Sequence, residues 1–174
     1  MNGKLLSEFF AYTPAFQGGM SLATCDLDNN GTMEIITGAG STGGPHVQAF
    51  DFSGARFIDG GFFAYEDNYR GGVRVACGDV DGNRLNEIVV STNGGTEPRL
   101  KIFTRRGVFT GKEFFVQGFY DSLELSLAVV KFSQDEPARI VLGGGTGNNS
   151  QIKILNDRGE DVGGFLAYGE NFSG

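Results

Sequence analysis

Short apolar runs alternate with glycine-rich polar stretches along the chain, and the runs recur in a fixed order. The first type alternates with a period of two ("MSLATC", "VRVACG", "LSLAVV"). The second is a continuous β-branched run ("EIITG", "EIVVS", "RIVLG"), and the third alternates again ("VQAF", "LKIF", "IKIL"). Alternation predicts half-buried strands, whereas continuous runs predict strands covered on both faces. Because no window shows a sustained helical period with caps, the pattern predicts an all-β fold.

A fourth, aromatic segment ends each unit and occurs four times. Its copies are "FFAYTPAFQGG" (9–19), "FFAYEDNYRGG" (62–72), a drifted "FFVQGFYDSLE" (114–124) and "FLAYGENFSG" (165–174). Units of about 52 residues with four short strands predict β-propeller blades, because a two-sheet sandwich would bury only one face of each strand. We therefore predict one propeller segment, 1–174, with blades at about 20–72, 73–124 and 125–174 and a partial, extra N-terminal strand in 1–19.

An acidic loop, "DLDNNGTME", joins the first two strands of the first unit. Calcium takes six to eight oxygen ligands, so a short loop must aim alternate side chains inward. Asp26, Asp28 and Asn30 are alternate residues, a glycine at the sixth position permits the turn, and Glu34 closes the site, with the backbone carbonyl of Thr32 as a further ligand. These five residues are predicted calcium ligands. The alternative is an Asx-turn whose carboxylates cap backbone amides without metal.

The second unit repeats the loop as "DVDGNRLNE". Asp79, Asp81, Asn83 and Glu87 keep the oxygen spacing, so they are also predicted calcium ligands. The glycine has moved to the fourth position, and Arg84 occupies the sixth. We therefore expect a turn that is harder to form and a weaker site.

The third unit carries "KFSQDEPAR" at the same place. Lys131 replaces the first aspartate and Ser133 the second, and an ammonium group at the metal position would repel calcium. This loop is predicted to be metal-free. We also hypothesise that Lys131 takes the place of the ion by pairing with Asp135 or Glu136.

These features together resemble the FG-GAP/VCBS repeats. The matching stretches are "FQGGMSLATCDLDNNGTMEIITGAGSTGGPHVQAFDFSG" and "YRGGVRVACGDVDGNRLNEIVVSTNGGTEPRLKIF", with weaker similarity up to Gly174. The resemblance implies integrin-like calcium-binding propeller blades in a secreted or surface-displayed protein. It also implies a non-catalytic role in extracellular protein or glycan binding or adhesion. The alternative is a purely structural, self-assembling repeat element.

The net charge of the chain limits the classes of partner that it can bind. With 14 basic and 21 acidic residues, the net charge of -7 disfavours nucleic acid and anionic lipid surfaces. No apolar stretch approaches the ~20 residues of a membrane span, so membrane insertion is not expected. The N-terminal "MNGKLLSEFFAY" does not resemble a signal peptide, and we expect any secretion signal to lie outside this sequence.

The two cysteines are predicted to be unpaired. Cys25 precedes its aspartate by one residue, whereas Cys77 precedes its aspartate by two. On strands of period two, the side chains would face opposite ways. We therefore expect two small buried hydrophobic residues rather than a disulfide.

No catalytic set can be assembled from the remaining residues. His46, the only histidine, aligns with Arg99 and Gln151, which indicates a solvent-facing polar position. Paired carboxylates occur only in the calcium loops, so the chain is not expected to be an enzyme. The recurring tyrosines at 12, 65 and 168 are predicted to pack rather than to form a sugar-stacking platform.

The number of units predicts association. Three blades and one extra strand are too few for a closed ring of at least four blades. An open arc would expose blade faces and strand edges, which tend to associate. We therefore expect a homodimer of six blades or, alternatively, a piece of a longer array.

Overall fold

The computed structural model describes residues 4–94, 98–119, 125–145 and 150–168, and within them it contains three four-stranded antiparallel sheets. Each sheet follows chain order, so neighbouring strands are sequential. Sheet one comprises β1 (Met20–Cys25), β2 (Glu34–Ala39), β3 (His46–Phe50) and β4 (Phe62–Phe63); sheet two β5 (Val73–Gly78), β6 (Glu87–Thr92), β7 (Arg99–Phe103) and β8 (Phe109–Phe115); sheet three β9 (Leu125–Val130), β10 (Arg139–Gly144), β11 (Gln151–Leu155) and β12 (Asp161–Leu166). The prediction of an all-β fold built from such sheets is confirmed.

The sheets stack so that one face of each sheet contacts the opposite face of the next. Strand β6 shows this most directly. Ile88 and Val90 point into a core shared with sheet one, whereas Val89 points into a core shared with sheet three. All six residues of β6 are buried. The continuous apolar run therefore reflects a strand covered on both faces, as expected.

Two apolar cores join the three units. The first contains Cys25, Leu27, Ile36, Val47 and Ala49 from unit one with Val73, Val75, Ile88, Val90 and Phe103 from unit two. The second contains Val80, Val89, Leu100 and Ile102 from unit two with Leu125, Ile140, Leu142 and Leu155 from unit three. Because the large apolar groups lie between sheets, each unit depends on its neighbour for burial.

Cys25 and Cys77 form a disulfide, with their Cα atoms 6.2 Å apart. The prediction of two unpaired cysteines is therefore wrong. Cys25 ends β1 and Cys77 lies in β5, and these strands are neighbours in adjacent sheets. Since stacked sheets present opposite faces to each other, two cysteines on opposite faces of their own sheets are the ones that meet.

The predicted extra N-terminal strand is not a strand. Residues 4–19 form an irregular segment that packs on sheet one. The Tyr12 hydroxyl donates to the carbonyl oxygens of Thr37 (3.2 Å) and His46 (2.9 Å), and the ring of Phe9 lies 5.1 Å from that of Phe50. Side-chain contacts rather than a ladder of backbone hydrogen bonds hold this segment.

The same contacts recur one unit later. The Tyr65 hydroxyl donates to the carbonyls of Val90 and Arg99, each at 2.8 Å, and Phe62 lies 4.6 Å from Phe103. The aromatic segment that ends one unit therefore anchors the next sheet. The predicted packing role holds for these two tyrosines. Parts of the third and fourth copies, 120–124 and 169–174, lie outside the described residues.

Removing the disulfide is expected to lower the free energy of unfolding by about 2–4 kcal/mol, because the bond closes a long loop in the unfolded chain. The cysteines are separated by 52 residues. Urea unfolding with and without reductant measures the effect, and reductant should not alter the unfolding of the Cys25→Ala/Cys77→Ala variant. Two reactive thiols in the wild-type chain unfolded without reductant would contradict the bond.

Candidate metal centres

Two acidic clusters occupy the loops between the first and second strands of sheets one and two. In the first, one oxygen from each of Asp26, Asp28 and Glu34 lies within 4.8 Å of the others, and the second cluster has the same geometry. Two oxygens bound to one calcium ion at 2.3–2.6 Å are at most about 5 Å apart. Each cluster could therefore hold a metal ion of this size. The second consists of Asp79, Asp81 and Glu87.

Both loops make the same backbone turn despite the displaced glycine. The fourth position has a positive φ in each loop (Asn29, 61°; Gly82, 82°), and so does the sixth (Gly31, 88°; Arg84, 70°). Each loop thus has glycine at one left-handed position and another residue at the second. Asparagine tolerates this conformation, whereas an arginine there costs about 1–2 kcal/mol. The second turn forms, as a strained version of the first.

The carboxylates of the first loop also organise its backbone. Asp26 accepts hydrogen bonds from the amides of Asn30 (3.0 Å) and Gly31 (2.8 Å), and Glu34 accepts one from Leu27 (2.7 Å). Asn30 Oδ1 accepts from both the amide and the hydroxyl of Thr32. Each carboxylate has two oxygens with several lone pairs, so the Asx-turn and metal binding are compatible.

The second loop repeats this network. Asp79 accepts from the amides of Gly82 (2.8 Å) and Arg84 (3.0 Å), and Glu87 accepts from Val80 (3.1 Å). Asp81 and Asn83 similarly accept from backbone amides two residues further on, at 3.0 and 2.7 Å. The three carboxylates predicted as ligands in each loop are therefore brought together around one turn, and the side-chain oxygens of Asn30 and Asn83 are bonded to the backbone of the same turns.

Glu87 is buried beside other negative charges. Burial, together with the charges of Asp81 and Asp79, raises the pKa of its carboxyl to about 7. A cation in the cluster would favour the ionised form and reverse this effect. The electrostatics of the second loop therefore suit a positive ion.

Each acidic loop is also bonded to the next unit, which the repeat pattern did not reveal. Asn86 Nδ2 donates to the carbonyl of Asp26 (2.7 Å), and Asn29 Nδ2 donates to that of Arg84 (2.9 Å). The amide of Ala138 donates to the carbonyl of Asp79 (2.8 Å). Asn86 and Ala138 align but differ in type, so no residue pattern marks this contact. The loops consequently form one continuous edge across the three sheets.

The aligned loop of unit three has a different arrangement. Glu136 pairs with Arg139, with Oε2 and Nη2 3.4 Å apart. No ion pair joins Lys131 to Asp135 or to Glu136 in the described part of the chain, so the hypothesised pairing is wrong for both partners. Lys131 instead lines a cleft beside the second acidic loop, together with Asp79 and Arg84.

A cleft of about 520 Å³ lies between the N-terminal segment and sheet one. The buried Gln48 lines it and donates from Nε2 to the carbonyl of Ala11, while Gln48 Oε1 has no hydrogen-bond partner among the described residues. His46 also lines the cleft; its ring stacks on Phe63 at 4.9 Å and is hydrogen-bonded to the carbonyl of Gly60. His46 is thus half-buried rather than solvent-facing. Further lining residues are Phe10, Tyr12, Phe16 and Arg56.

The second unit fills the equivalent space with an ion pair. Arg99, which aligns with His46, lies 4.9 Å from the centre of the Tyr65 ring and pairs with Glu66 at 2.5 Å. Glu66 aligns with Thr13 in the N-terminal segment. Shorter side chains at both positions leave the cleft open in unit one.

The fold and the loops define an all-β repeat chain with two acidic clusters. No helix in the described part of the chain is long and apolar enough to span a membrane. No family model matches the chain, and neither a curated protein nor a solved structure is significantly similar to it.

In the absence of metal, Glu87→Gln is expected to stabilise the chain near pH 8, because the ionised carboxylate is disfavoured in the fold. A pKa raised from 4.5 to about 7 lowers stability as the pH rises through this interval. Wild type should therefore lose on the order of 1 kcal/mol, relative to the variant, between about pH 5 and pH 8. Urea unfolding in chelator measures this difference.

Glu66→Gln is the control. Arg99 lowers the pKa of Glu66 to about 2, so Glu66 is ionised in both the folded and unfolded chain over this pH range. The free energy of unfolding of Glu66→Gln should therefore show the same pH dependence as that of wild type. Parallel profiles for wild type and Glu87→Gln would contradict the prediction.

Proposed function

We propose that the chain is a calcium-stabilised segment of β-propeller blades, of the kind found in FG-GAP/VCBS repeats, and that it acts as a non-catalytic extracellular binding module. The observation that carries this proposal is the pair of acidic clusters at equivalent places in two consecutive units. A single acidic turn is common on protein surfaces, whereas two acidic loops with the same backbone turn and hydrogen bonds indicate a shared function. The contact between opposite faces of successive four-stranded sheets supports propeller blades as the architecture.

The chemistry of the donors supports calcium as the ion. All predicted ligands are carboxylate, amide or carbonyl oxygens, which a hard cation prefers. Bound calcium would relieve the repulsion around Glu87 and hold the first two strands together in sheet one and in sheet two. Because Asn86 donates to the carbonyl of Asp26, calcium bound at Asp26 would also stabilise the contact between units one and two. The ion's role is therefore structural.

The disulfide supports an extracellular location. Such bonds persist in oxidising environments, and calcium is abundant outside cells. Modules of this type bind calcium weakly, at ~10⁻⁴–10⁻³ M, which suits extracellular concentrations. Secretion or surface display is consistent with both features.

The cleft on sheet one is the proposed place for a protein or glycan ligand. It combines aromatic walls with a buried, unpartnered acceptor on Gln48 and an exposed cationic side chain, Arg56. Ligand sites are typically apolar clefts that contain a small number of polar groups. A hydroxyl or amide of the ligand would donate to Gln48.

A second candidate function is a purely structural element that assembles with itself, either as a homodimer of six blades or within a longer array. The observation that favours it is the exposed apolar surface of sheet three, where Val162, Phe165 and Leu166 are 50, 60 and 43% exposed. Apolar surface of this kind commonly marks an interface.

Calcium is expected to raise the unfolding temperature. At a concentration ten times the dissociation constant, each occupied site adds about 1.4 kcal/mol of stability. Asp26→Asn should remove the contribution of the first site, and Asp26→Asn/Asp79→Asn should abolish the response. Thermal unfolding in calcium and in chelator measures the shifts.

Asp59→Asn is the matched control, because Asp59 is an exposed aspartate outside both clusters. Its response to calcium should equal that of wild type. Magnesium should have a smaller effect, since it prefers a tighter octahedral shell and retains its waters. A full calcium response in the double aspartate variant would contradict the assignment.

Saturable capture on an array of glycans and extracellular-matrix proteins is the expected sign of a binding module. Arg56→Ala should weaken the binding of a captured ligand on the order of tenfold by removing one desolvated contact. Arg158→Ala, at another exposed arginine, should leave the affinity unchanged. Equal losses in both variants would exclude the cleft, and no capture in calcium would contradict the binding function.

A further inference from the structure

The three sheets form a stack. Its two outer faces, one on sheet one and one on sheet three, are equivalent to faces that are buried inside the stack. On sheet one, Met20 and Leu22 are 52 and 63% exposed, whereas their equivalents in sheet two, Val73 and Val75, are 1 and 4% exposed. Sheet one covers Val73 and Val75, and no sheet covers Met20 and Leu22 within the described residues. One end of the molecule thus presents an uncovered copy of an internal contact surface.

The opposite end presents the complementary surface. In sheet two, Val89, Leu100 and Ile102 are fully buried against sheet three. Their equivalents in sheet three are only partly buried: Val141, Ile152 and Ile154. Since sheets one and two both use this face to cover the next sheet, the corresponding face of sheet three fits the uncovered face of a sheet one.

The aromatic segment after sheet three is exposed in the same way. Tyr168 is 60% exposed, although its equivalent Tyr65 is 5% exposed, and Phe165 is 60% exposed, whereas its equivalent Phe62 is partly buried. The amide of Ala167 bonds to the carbonyl of Ser150, as that of Ala64 bonds to Pro45. The segment therefore has the internal backbone arrangement without the next sheet against its rings.

The matching place on sheet one is filled by the chain's own N-terminal segment. Residues 9–12 hold it through the Phe9 ring on Phe50 and the Tyr12 hydroxyl on Thr37 and His46. Phe9 also lies over Gly54, as Phe62 lies over Gly107. A second segment of the same type can occupy this place only if residues 9–12 leave it.

We propose that copies of this chain associate head to tail by segment exchange. The open face of sheet three in one copy covers Met20 and Leu22 of a second copy. Residues 165–168 of the first copy replace residues 9–12 on sheet one of the second. The interface is heterologous, because each copy contributes a different end.

This inference rests on the assembly alternative given under the proposed function and adds its mechanism. The contacts come from equivalent positions in the repeats, since every predicted contact between copies already exists between sheets one and two. Both copies carry a charge of -7, so long-range repulsion opposes association and salt should strengthen it. Association is measured on the chain without a cleft ligand, so failure of the binding function would leave the result unchanged.

Exchange predicts opposite effects for two equivalent tyrosines. Tyr168→Ala removes an anchor from the incoming segment and should weaken association about tenfold. Tyr12→Ala loosens the competing segment and should strengthen association several-fold, because less is lost when residues 9–12 leave. Sedimentation velocity of the full chain over a concentration series gives both association constants.

Two further variants separate this mechanism from unspecific clustering. Leu22→Lys places a charge on an exposed residue of the docking face and should abolish association without unfolding the chain. Val108→Ser removes an apolar side chain that is 62% exposed in the turn between β7 and β8 of the middle sheet, at a position that is exposed in all three units, and should have no effect. Circular dichroism establishes that each variant is folded.

The outcomes are distinct. A wild-type chain that remains monomeric at the highest concentration overturns both the inference and the assembly alternative. Association that resists Leu22→Lys, or that Val108→Ser reduces equally, overturns the proposed interface. Association blocked by Leu22→Lys in which Tyr12→Ala and Tyr168→Ala act in the same direction overturns the exchange, while self-assembly as a function stands.

Discussion

Contact between opposite faces of successive sheets is the constraint on which this structure depends. It requires each sheet to be apolar on both faces and the strands near the contact to carry small residues. Gly38 and Gly78 illustrate the second requirement. A Cβ atom at Gly38 would lie 2.9 Å from a methyl group of Val75, and one at Gly78 would lie 2.6 Å from Val129. Real side chains do not tolerate such distances, so these glycines set how closely the sheets approach.

The acidic loops belong to the same constraint. Each loop follows the strand that packs on the neighbouring sheet, and the carbonyl of its first aspartate accepts a hydrogen bond from the next unit. The disulfide joins sheets one and two immediately before the first loop. A cation held by Asp26 would therefore stabilise two contacts, one within a sheet and one between sheets. Units two and three lack such a disulfide, so their junction is held by apolar packing, the hydrogen bond from the Ala138 amide to the Asp79 carbonyl and the ion pair between Lys112 and Asp157 (2.5 Å).

Much of the fold could be predicted because periodicity and repetition are local signals. The strand types, the sheets of four and the grouping of Asp26, Asp28 and Glu34 all follow from spacing within one unit. The disulfide could not be predicted in the same way, since it depends on which faces of two different units meet. Pairing of Lys131 with Glu136 was wrong for a similar reason, because Arg139 lies closer in the folded loop. Residues 4–19 are irregular because side-chain contacts hold them. Such contacts leave no alternating pattern of apolar and polar residues from which the sequence could predict them.

The N-terminal segment connects the two proposed activities. Phe10, Tyr12 and Phe16 form one side of the cleft, and residues 9–12 also occupy the place that an incoming segment would take. A copy that docks end to end would consequently replace part of the cleft wall, with Leu166 at the position of Phe10 and Tyr168 at that of Tyr12. Thr13 and the short His46 side chain leave room for a ligand here, whereas Arg99 and Glu66 close the equivalent space in unit two. A ligand that bridges residues 10–16 and sheet one would hold the segment in place. Ligand binding and head-to-tail association are therefore expected to oppose each other.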